Sequence, residues 1–528
     1  MAFRSLLSPA LLAMRAPLLV LLAGWFGIVS AQDIPALVYH DIAETGTSDP
    51  FAVSREAFAE QLEYLRAEGY TPVSLSLLGK LQRGEAALPE KPVLITFDDG
   101  LASYATIARP LLERYGFPSV LSVVSGWADG QRVPPEYRGK LLDWDALRSL
   151  ARTSGVELVS HTHDLHHGVP SNPQGNQAPA SITRRFDAGS GRYESEEAFR
   201  ARIRADLELA RARFVAELKQ PPTGVAWPFG LYDEVLVEEA TRLGMKWQLT
   251  LDRAPTRAET LPRIHRLTFH RLRNLRQFAD MVSLRALRRE QVRFVEIDYD
   301  LLSPQDPARF EQRLSQLLRR LELLRVGGVV LRPFSADGKQ AYFPTSTMPF
   351  AADTLNRVLH QLRSRLHLDH LYLRIPVEAT TSAPAILAED LGRLNRFSGV
   401  IVSDAREPST GVFVRRLRYH QPTLRVGVLN GTVVTADAQF VLREITATSE
   451  TDTVEREARK WLSRDSKAWF LVQRDAATED QLRDALVALR RAGAAHFGYS
   501  PDDFVAARPR ATDIVSTLLA HTVVRHVD

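Results

Sequence analysis

The feature that most restricts the fold of this chain is a repeated alternation of short, continuously apolar runs with amphipathic stretches of helical spacing. IPALVYH (34–40), KPVLITFDDG (91–100), FPSVLSVVSG (117–126), VELVSHTH (156–163), TGVAWPFG (223–230) and MKWQLTL (245–251) are such runs; REAFAEQLEYLRAEG (55–69) and YDEVLVEEATRLG (232–244) are two of the intervals. Runs of this kind are buried on both faces, which predicts parallel strands covered by helices, as an open sheet or a barrel. In such folds the loops beyond the carboxyl ends of the strands form the site. Four unusual polar clusters sit at those ends: Tyr39-His40-Asp41, Asp98-Asp99-Gly100, the histidines from His161 onward, and Trp227-Pro228-Phe229-Gly230.

A second series starts with VRFVEIDYD (292–300) and continues through VGGVVLRPF (326–334), HLYLRIPV (370–377), FSGVIVSDA (397–405), TLRVGVLNG (423–431), AWFLVQRD (468–475) and AAHFGYSPDDF (494–504). At 528 residues with 45% hydrophobic content, the chain can bury two cores. The class is α/β throughout: one unit over 32–275, a connector over 276–290, and a second, reduced (β/α)8-like barrel over 291–528. Residues 169–195, rich in Pro, Gly, Asn, Ser and Gln, read as a rim loop shaping access to the site or as a disordered excursion.

Arg4 and Arg15 precede the apolar run APLLVLLAGWFGIV (16–29), and Val29-Ser30-Ala31 supplies small residues where a signal peptidase cuts. Residues 1–31 therefore read as a secretory signal; the alternative is a short membrane anchor, although the run covers only about two-thirds of a hydrocarbon core. The chain has no cysteine. That excludes disulfides, thiolate metal sites and a lipid anchor on an N-terminal cysteine, and leaves His, Asp and Glu as metal ligands. With a formal charge of +4 and no basic stripe interleaved with aromatics, nucleic acid is not an expected partner.

Asp98 and Asp99 end an apolar strand, and adjacent residues of an extended chain point opposite ways, so the two carboxylates can take different tasks. One carboxylate and two imidazoles form a ligand set for a catalytic divalent ion that keeps a position open for water. A second carboxylate beside that water can act as general base in attack on a carbonyl. The stretch SHTHDLHHG (160–168) offers four histidines. Strand phase favours His161, which shares a face with Glu157 and Val159; it does not separate His163, His166 and His167.

TFDDG (96–100), SHTHDLHHG (160–168) and WPFG (227–230), with an early YHD (39–41), resemble the motifs of polysaccharide deacetylases of the NodB-like carbohydrate esterase family 4. The resemblance implies a distorted (β/α) deacetylase barrel for the first unit. It implies Asp98 as general base, Asp99, His161 and His166 as ligands of one divalent ion (Zn, Ni, Co or Fe), and His40 as general acid. His270, in LTFH (267–270), is a rival acid. Tyr39, Trp127 and Trp227 become candidates for stacking sugar, with core packing the alternative for each, and the Gly100 region becomes a candidate oxyanion contact. The implied substrate is a β-1,6-linked N-acetylglucosamine polymer, handled in the periplasm, with an outer-membrane export porin as a further partner.

The second half resembles the glycoside hydrolase-like barrel that follows the deacetylase in Gram-negative members, and departs from it. Consecutive aspartates are expected after one strand; here GVIVSDA leaves Asp404 alone, followed by REPSTGVFVRR. Glycosidic cleavage needs two suitably spaced carboxyl groups. Asp298, Asp300, Asp404, Asp502 and Asp503 are present, but the sequence pairs none of them, and Arg332, Arg374 and Arg406 fall near successive strand ends. The expectation is a glycan-binding domain.

Overall fold

The computed structural model describes residues 32–45, 49–268, 274–288, 290–431, 438–447, 450–474 and 477–518. The stretch read as a secretory signal and His270 lie outside the described residues.

The first unit is a closed barrel of seven parallel strands: β1 (Ala36–Tyr39), β2 (Pro92–Phe97), β3 (Ser119–Val123), β4 (Val156–Ser160), β5 (Gly224–Ala226), β6 (Trp247–Thr250) and β7 (Arg263–Thr268). It closes because β1 pairs on one side with β2, Leu37 opposite Ile95, and on the other with β7, Leu37 opposite Leu267. The two phases of each strand go to different cores. Leu37, Val93, Ile95, Phe97, Leu121 and Val123 pack against helix residues such as Phe58, Leu62 and Leu112. Ala36, Leu94, Val120, Val159, Ala226, Leu249 and Ile264 meet one another and fill the barrel.

The second unit is also closed and parallel, with eight strands: β8 (Val292–Ile297), β9 (Gly328–Leu331), β10 (His370–Ile375), β11 (Gly399–Val402), β12 (Arg425–Leu429), β13 (Phe440–Thr446), β14 (Trp469–Gln473) and β15 (His496–Asp502). Val292, Phe294, Val330, Tyr372, Ile401, Phe440, Leu442, Trp469 and Leu471 fill it. The reduction expected for this unit does not extend to its strand count. The helix Leu275–Val282, in the expected connector, buries Phe278 and Val282 in the core of the first barrel.

Residues 169–195 are folded. Gly168–Pro170 pairs with Gln177–Pro179, Phe186–Asp187 pairs with Arg192–Tyr193, and Ser171, Asn172, Ser181, Ile182 and Arg184 are buried. The insertion is thus a rim structure packed between the barrels, not an excursion.

Candidate active site

The phase that fills the first barrel also builds its mouth. Two residues beyond Leu94, Val120, Val159 and Ile264, the inward phase reaches Thr96, Ser122, His161 and Arg266, and two beyond Thr96 it reaches Asp98. Asp98 is 4% exposed and Arg266 2%. Arg266 donates from Nη1 to Asp98 Oδ1 at 2.6 Å and from Nη2 to Oδ2 at 2.8 Å. Ser122 Oγ donates to Oδ1 at 2.6 Å, so Oδ1 accepts two bonds while Oδ2 keeps a lone pair for a further donor. Burial alone would raise the Asp98 carboxyl, but the Arg266 charge and hydrogen bond, with His161 and His40, hold it well below the usual carboxylate range.

Asp99 falls by alternation in the outward phase of Ile95 and Phe97, and there the strand ends with its backbone turned left-handed, φ 73°. Its carboxylate meets two imidazoles: Oδ1 lies 3.5 Å from His161 Nε2 and 3.6 Å from His166 Nε2, while Oδ2 accepts from Tyr137 Oη at 3.1 Å. His161 Nδ1 lies 2.7 Å from the Ala226 carbonyl oxygen, which can only accept; Nδ1 therefore carries the proton and, in the neutral ring, Nε2 presents its lone pair. Asp99 Oδ1 is buried and has no hydrogen-bond donor among the described residues. One donor atom from each of Asp99, His161 and His166 lies within 4.8 Å of the other two. Acceptors converging on a buried, unsatisfied oxygen fit a divalent cation, and a set of two imidazoles and one carboxylate suits Zn²⁺ and its first-row neighbours. Burial would raise the Asp99 carboxyl, yet His161, His166 and His40 bring it down to about 2. Burial pushes the His166 imidazole down to about 4, whereas burial of His161 is outweighed by Asp98 and Asp99, which raise its imidazole.

Thr162, with φ 69°, ends the extended phase and turns His163 away from the mouth. His163 Nδ1 instead lies 3.0 Å from Ser125 Oγ, and His167 Nδ1 lies 3.8 Å from Asp164. The backbone of the loop is held by Asp206, which accepts from His163 N at 3.0 Å and Asp164 N at 2.7 Å. Neither Asp206 nor Arg266 was singled out from the sequence. Asp206 sits on a charged helix, Glu196–Leu218, where one acidic residue reads as solvated surface.

His40 follows β1 at the same mouth, half-buried, its ring 5.6 Å from that of Phe51 and its charge felt by both Asp98 and Asp99. Two stacking candidates are corrected. Tyr39 lies in the outward phase, 2% exposed, with its hydroxyl donating to Gln61 Oε1 at 2.8 Å. Trp227 is fully buried, with Nε1 donating to Gln248 Oε1 at 3.0 Å. Neither presents a face to a sugar. Trp127, 4% exposed, packs its ring 4.9 Å from that of His166 and braces that imidazole. Phe229, quoted within a motif but not singled out, is 47% exposed with its ring 4.5 Å from that of His166. Its loop turns on Gly230, φ 67°, where a Cβ would stand 2.4 Å from Leu251. Gly100 also takes a positive φ, 71°, beside the two aspartates.

The second barrel repeats the inward-phase logic with other chemistry. Beyond Phe294, Val330, Tyr372, Leu442 and Leu471 come Glu296, Arg332, Arg374, Glu444 and Gln473, lining a cavity of about 400 Å³. Glu296, 1% exposed, lies 3.1 Å from both Arg332 and Arg374, and Arg374 lies 3.0 Å from Glu444. Of the five aspartates named from the sequence, Asp502 is buried against Arg320 at 2.7 Å, and Asp300 accepts from Tyr342 and from Ala336 N.

Residues 85–247 match the polysaccharide deacetylase family, and residues 296–405 match hypothetical glycosyl hydrolase family 13. The chain carries a polysaccharide deacetylase domain followed by a domain of the second family. Among curated proteins it is similar to the poly-beta-1,6-N-acetyl-D-glucosamine N-deacetylase of Escherichia coli K12, 29% identical over 358 residues that cover 65% of this chain and 52% of that protein. The chain thus spans about half the length of that relative. Similar solved structures include the BpsB deacetylase domain of Bordetella bronchiseptica, 32% identical, covering 44% of this chain and 94% of that one with a TM-score of 0.40. Another is a de-N-acetylase from Aggregatibacter actinomycetemcomitans, 26% identical, covering 47% of this chain and 100% of that one with a TM-score of 0.44.

Proposed function

We propose that this protein is a metal-dependent hydrolase that removes N-acetyl groups from a β-1,6-linked N-acetylglucosamine polymer during export through the periplasm. The observation that carries the reading is the division of labour between neighbouring carboxylates: Asp98 is clamped by Arg266, while Asp99 faces two imidazoles with one buried oxygen unsatisfied. A divalent cation held by Asp99, His161 and His166 would supply Lewis acidity, acidifying water and polarising the acetyl carbonyl. Asp98 Oδ2, which accepts from Arg266 with one lone pair and keeps the other, takes the proton from water with that second lone pair as the water oxygen bonds to the carbonyl carbon. His40, as imidazolium, returns a proton to the sugar nitrogen while the C–N bond breaks, and acetate and a free amine leave. Each proton transfer of this kind contributes about 10²- to 10⁴-fold. Phe229 offers an aromatic face to the sugar ring beside the reacting centre. The second barrel, its carboxylates neutralised by arginines, binds and guides polymer, and an export porin receives the product.

The test is acetate release from defined β-1,6-N-acetylglucosamine oligomers by the zinc-loaded chain. Release should be abolished by Asp98→Asn and strongly reduced by His40→Ala; undiminished release from Asp98→Asn would refute the assignment. Loss in His270→Ala but not in His40→Ala would move the acid role to His270.

A further inference from the structure

The insertion at residues 169–195 starts immediately after the ligand loop and reaches the second barrel. On the ligand side, Ala180 N donates to the His167 carbonyl at 2.9 Å, and Gly168 pairs with Pro179. Leu165, next to His166, is buried with Val169, Ala180, Ile182 and Phe199, and Tyr419 of the second barrel packs against the same cluster. Fully buried Arg184 donates to Asp233 Oδ2 at 2.9 Å, and Asp233 caps the helix that follows the Phe229 loop. The insertion therefore joins both segments that flank His166.

Its other side is fastened to the second barrel by polar groups that, apart from exposed Gln174, are buried or half-buried. Asn172, 1% exposed, donates to Asn356 Oδ1 at 2.8 Å, and Arg357 donates to Asn176 Oδ1 at 3.2 Å. Gln174 donates to the Asp353 carbonyl at 2.8 Å, Tyr193 Oη donates to Asp353 Oδ2 at 2.6 Å, and Arg396 donates to the Ile182 carbonyl at 2.9 Å. Partly buried donors and acceptors left unpaired are costly, so these bonds favour the docked arrangement, although Asn172 Nδ2 also donates to Asn176 Oδ1 at 2.9 Å within the insertion.

We propose that the second barrel acts on the first barrel's metal centre, with Asn356 and Tyr193 as positioning residues that hold the His161–His166 loop through the insertion. This rests on the reading of Asp99, His161 and His166 as a metal site. The placement of a ligand then depends on contacts made by the other barrel, and whatever shifts that barrel's docking changes metal affinity in the first.

The experiment uses the full chain, the double variant Asn356→Leu/Tyr193→Phe, and Asn356→Asp, which keeps the acceptor that Asn172 needs. Arg483→Ala, whose side chain lies on the outer face of the helix Glu479–Arg491 of the second barrel, is the control. Zinc dissociation constants are measured by chelator competition below the melting temperature, alongside hydrogen exchange over residues 163–182. The double variant should bind zinc about tenfold more weakly, the lower end of the effect of losing a group that orients a ligand. It should also exchange faster across 163–182, while Asn356→Asp and Arg483→Ala stay within about threefold of the parent. Unchanged zinc affinity with unchanged exchange overturns the proposal, as does an equal loss in Arg483→Ala. If the parent binds no zinc, the metal reading fails on its own, and unchanged exchange in the double variant then refutes the mechanical coupling separately.

Discussion

Replacing Arg266 by methionine tests whether a single buried guanidinium sets the ionisation of Asp98. The pair is bidentate at 2.6 and 2.8 Å with both partners almost wholly buried. An arginine next to an aspartate depresses its pKa by about 1–3 units, and burial works in the opposite direction. Without Arg266, Asp98 keeps Ser122 and the more distant histidines, while the burial that opposes its charge remains. The acidic limb of kcat/KM should therefore move up by about 2 units or more, equivalent to roughly 2.7 kcal/mol of lost preference for the carboxylate. Stability should fall by about 3–5 kcal/mol, because removing one partner leaves a buried charge uncompensated. In the parent, the depressed Asp98 stabilises the fold above the unfolded carboxylate pKa, and that contribution disappears as pH falls through the folded value. The stability difference between parent and variant should thus be largest near neutrality and shrink below about pH 4. Acetate release by the zinc-loaded proteins across a pH series, with melting curves at the same pH values, measures both effects. Arg266→Lys should fall between the two, since one ammonium cannot reproduce the two-pronged contact. An acidic limb at the parent's pH together with an unchanged melting temperature would refute the reasoning.

Zinc at a hundredfold excess over its dissociation constant should stabilise the parent by about 2.7 kcal/mol. In calorimetry that increment should vanish in Asp99→Ala, His161→Ala and His166→Ala and persist in His163→Ala and His167→Ala, whose rings turn to other partners. Phe229→Ala should raise KM for the N-acetylglucosamine oligomers about five- to tenfold with kcat little changed, the loss of one stacked ring; an unchanged KM would remove Phe229 from the substrate path. Burial pushes Asp353 up to about 6 despite the Tyr193 hydrogen bond. A raised carboxyl contributes stability below its unfolded pKa that is lost as pH rises through the folded value. Asp353→Asn, which keeps the acceptor, should therefore match the parent near pH 4 and exceed it at pH 7 by about 2 kcal/mol, allowing for partial exposure. Parallel pH–stability curves would contradict this.

What could be read in the sequence, and what could not, follows from strand phase. The alternating runs were sufficient for two units of parallel strands covered by helices but did not separate an open sheet from a barrel in the first, and the phase through Val159 pointed to His161. The same phase stopped at Thr162, whose left-handed backbone no apolar pattern announces, so His166, the proposed second histidine ligand, came from motif resemblance and not from periodicity. Tyr39 was a candidate because of its place at a strand end, although it shares the phase of Leu37, which faces helices. Arg266 and Glu296 were overlooked for the converse reason. Each is a charged residue two positions beyond an inward apolar one, Ile264 or Phe294, and a long charged side chain at such a position is costly unless an opposite charge reaches it. That requirement implies a partner without naming it, because the partner comes from a strand distant in sequence: Asp98 lies 168 positions from Arg266, and Arg374 lies 78 from Glu296. Both barrels place such pairs at the mouth. In the first, the arginine leaves one carboxylate oxygen with a lone pair to spare; in the second, two arginines share a single glutamate. The same device has opposite outcomes: burial raises Glu296 despite its two arginines, whereas the Arg266 fork outweighs burial and holds Asp98 well below the usual carboxylate range.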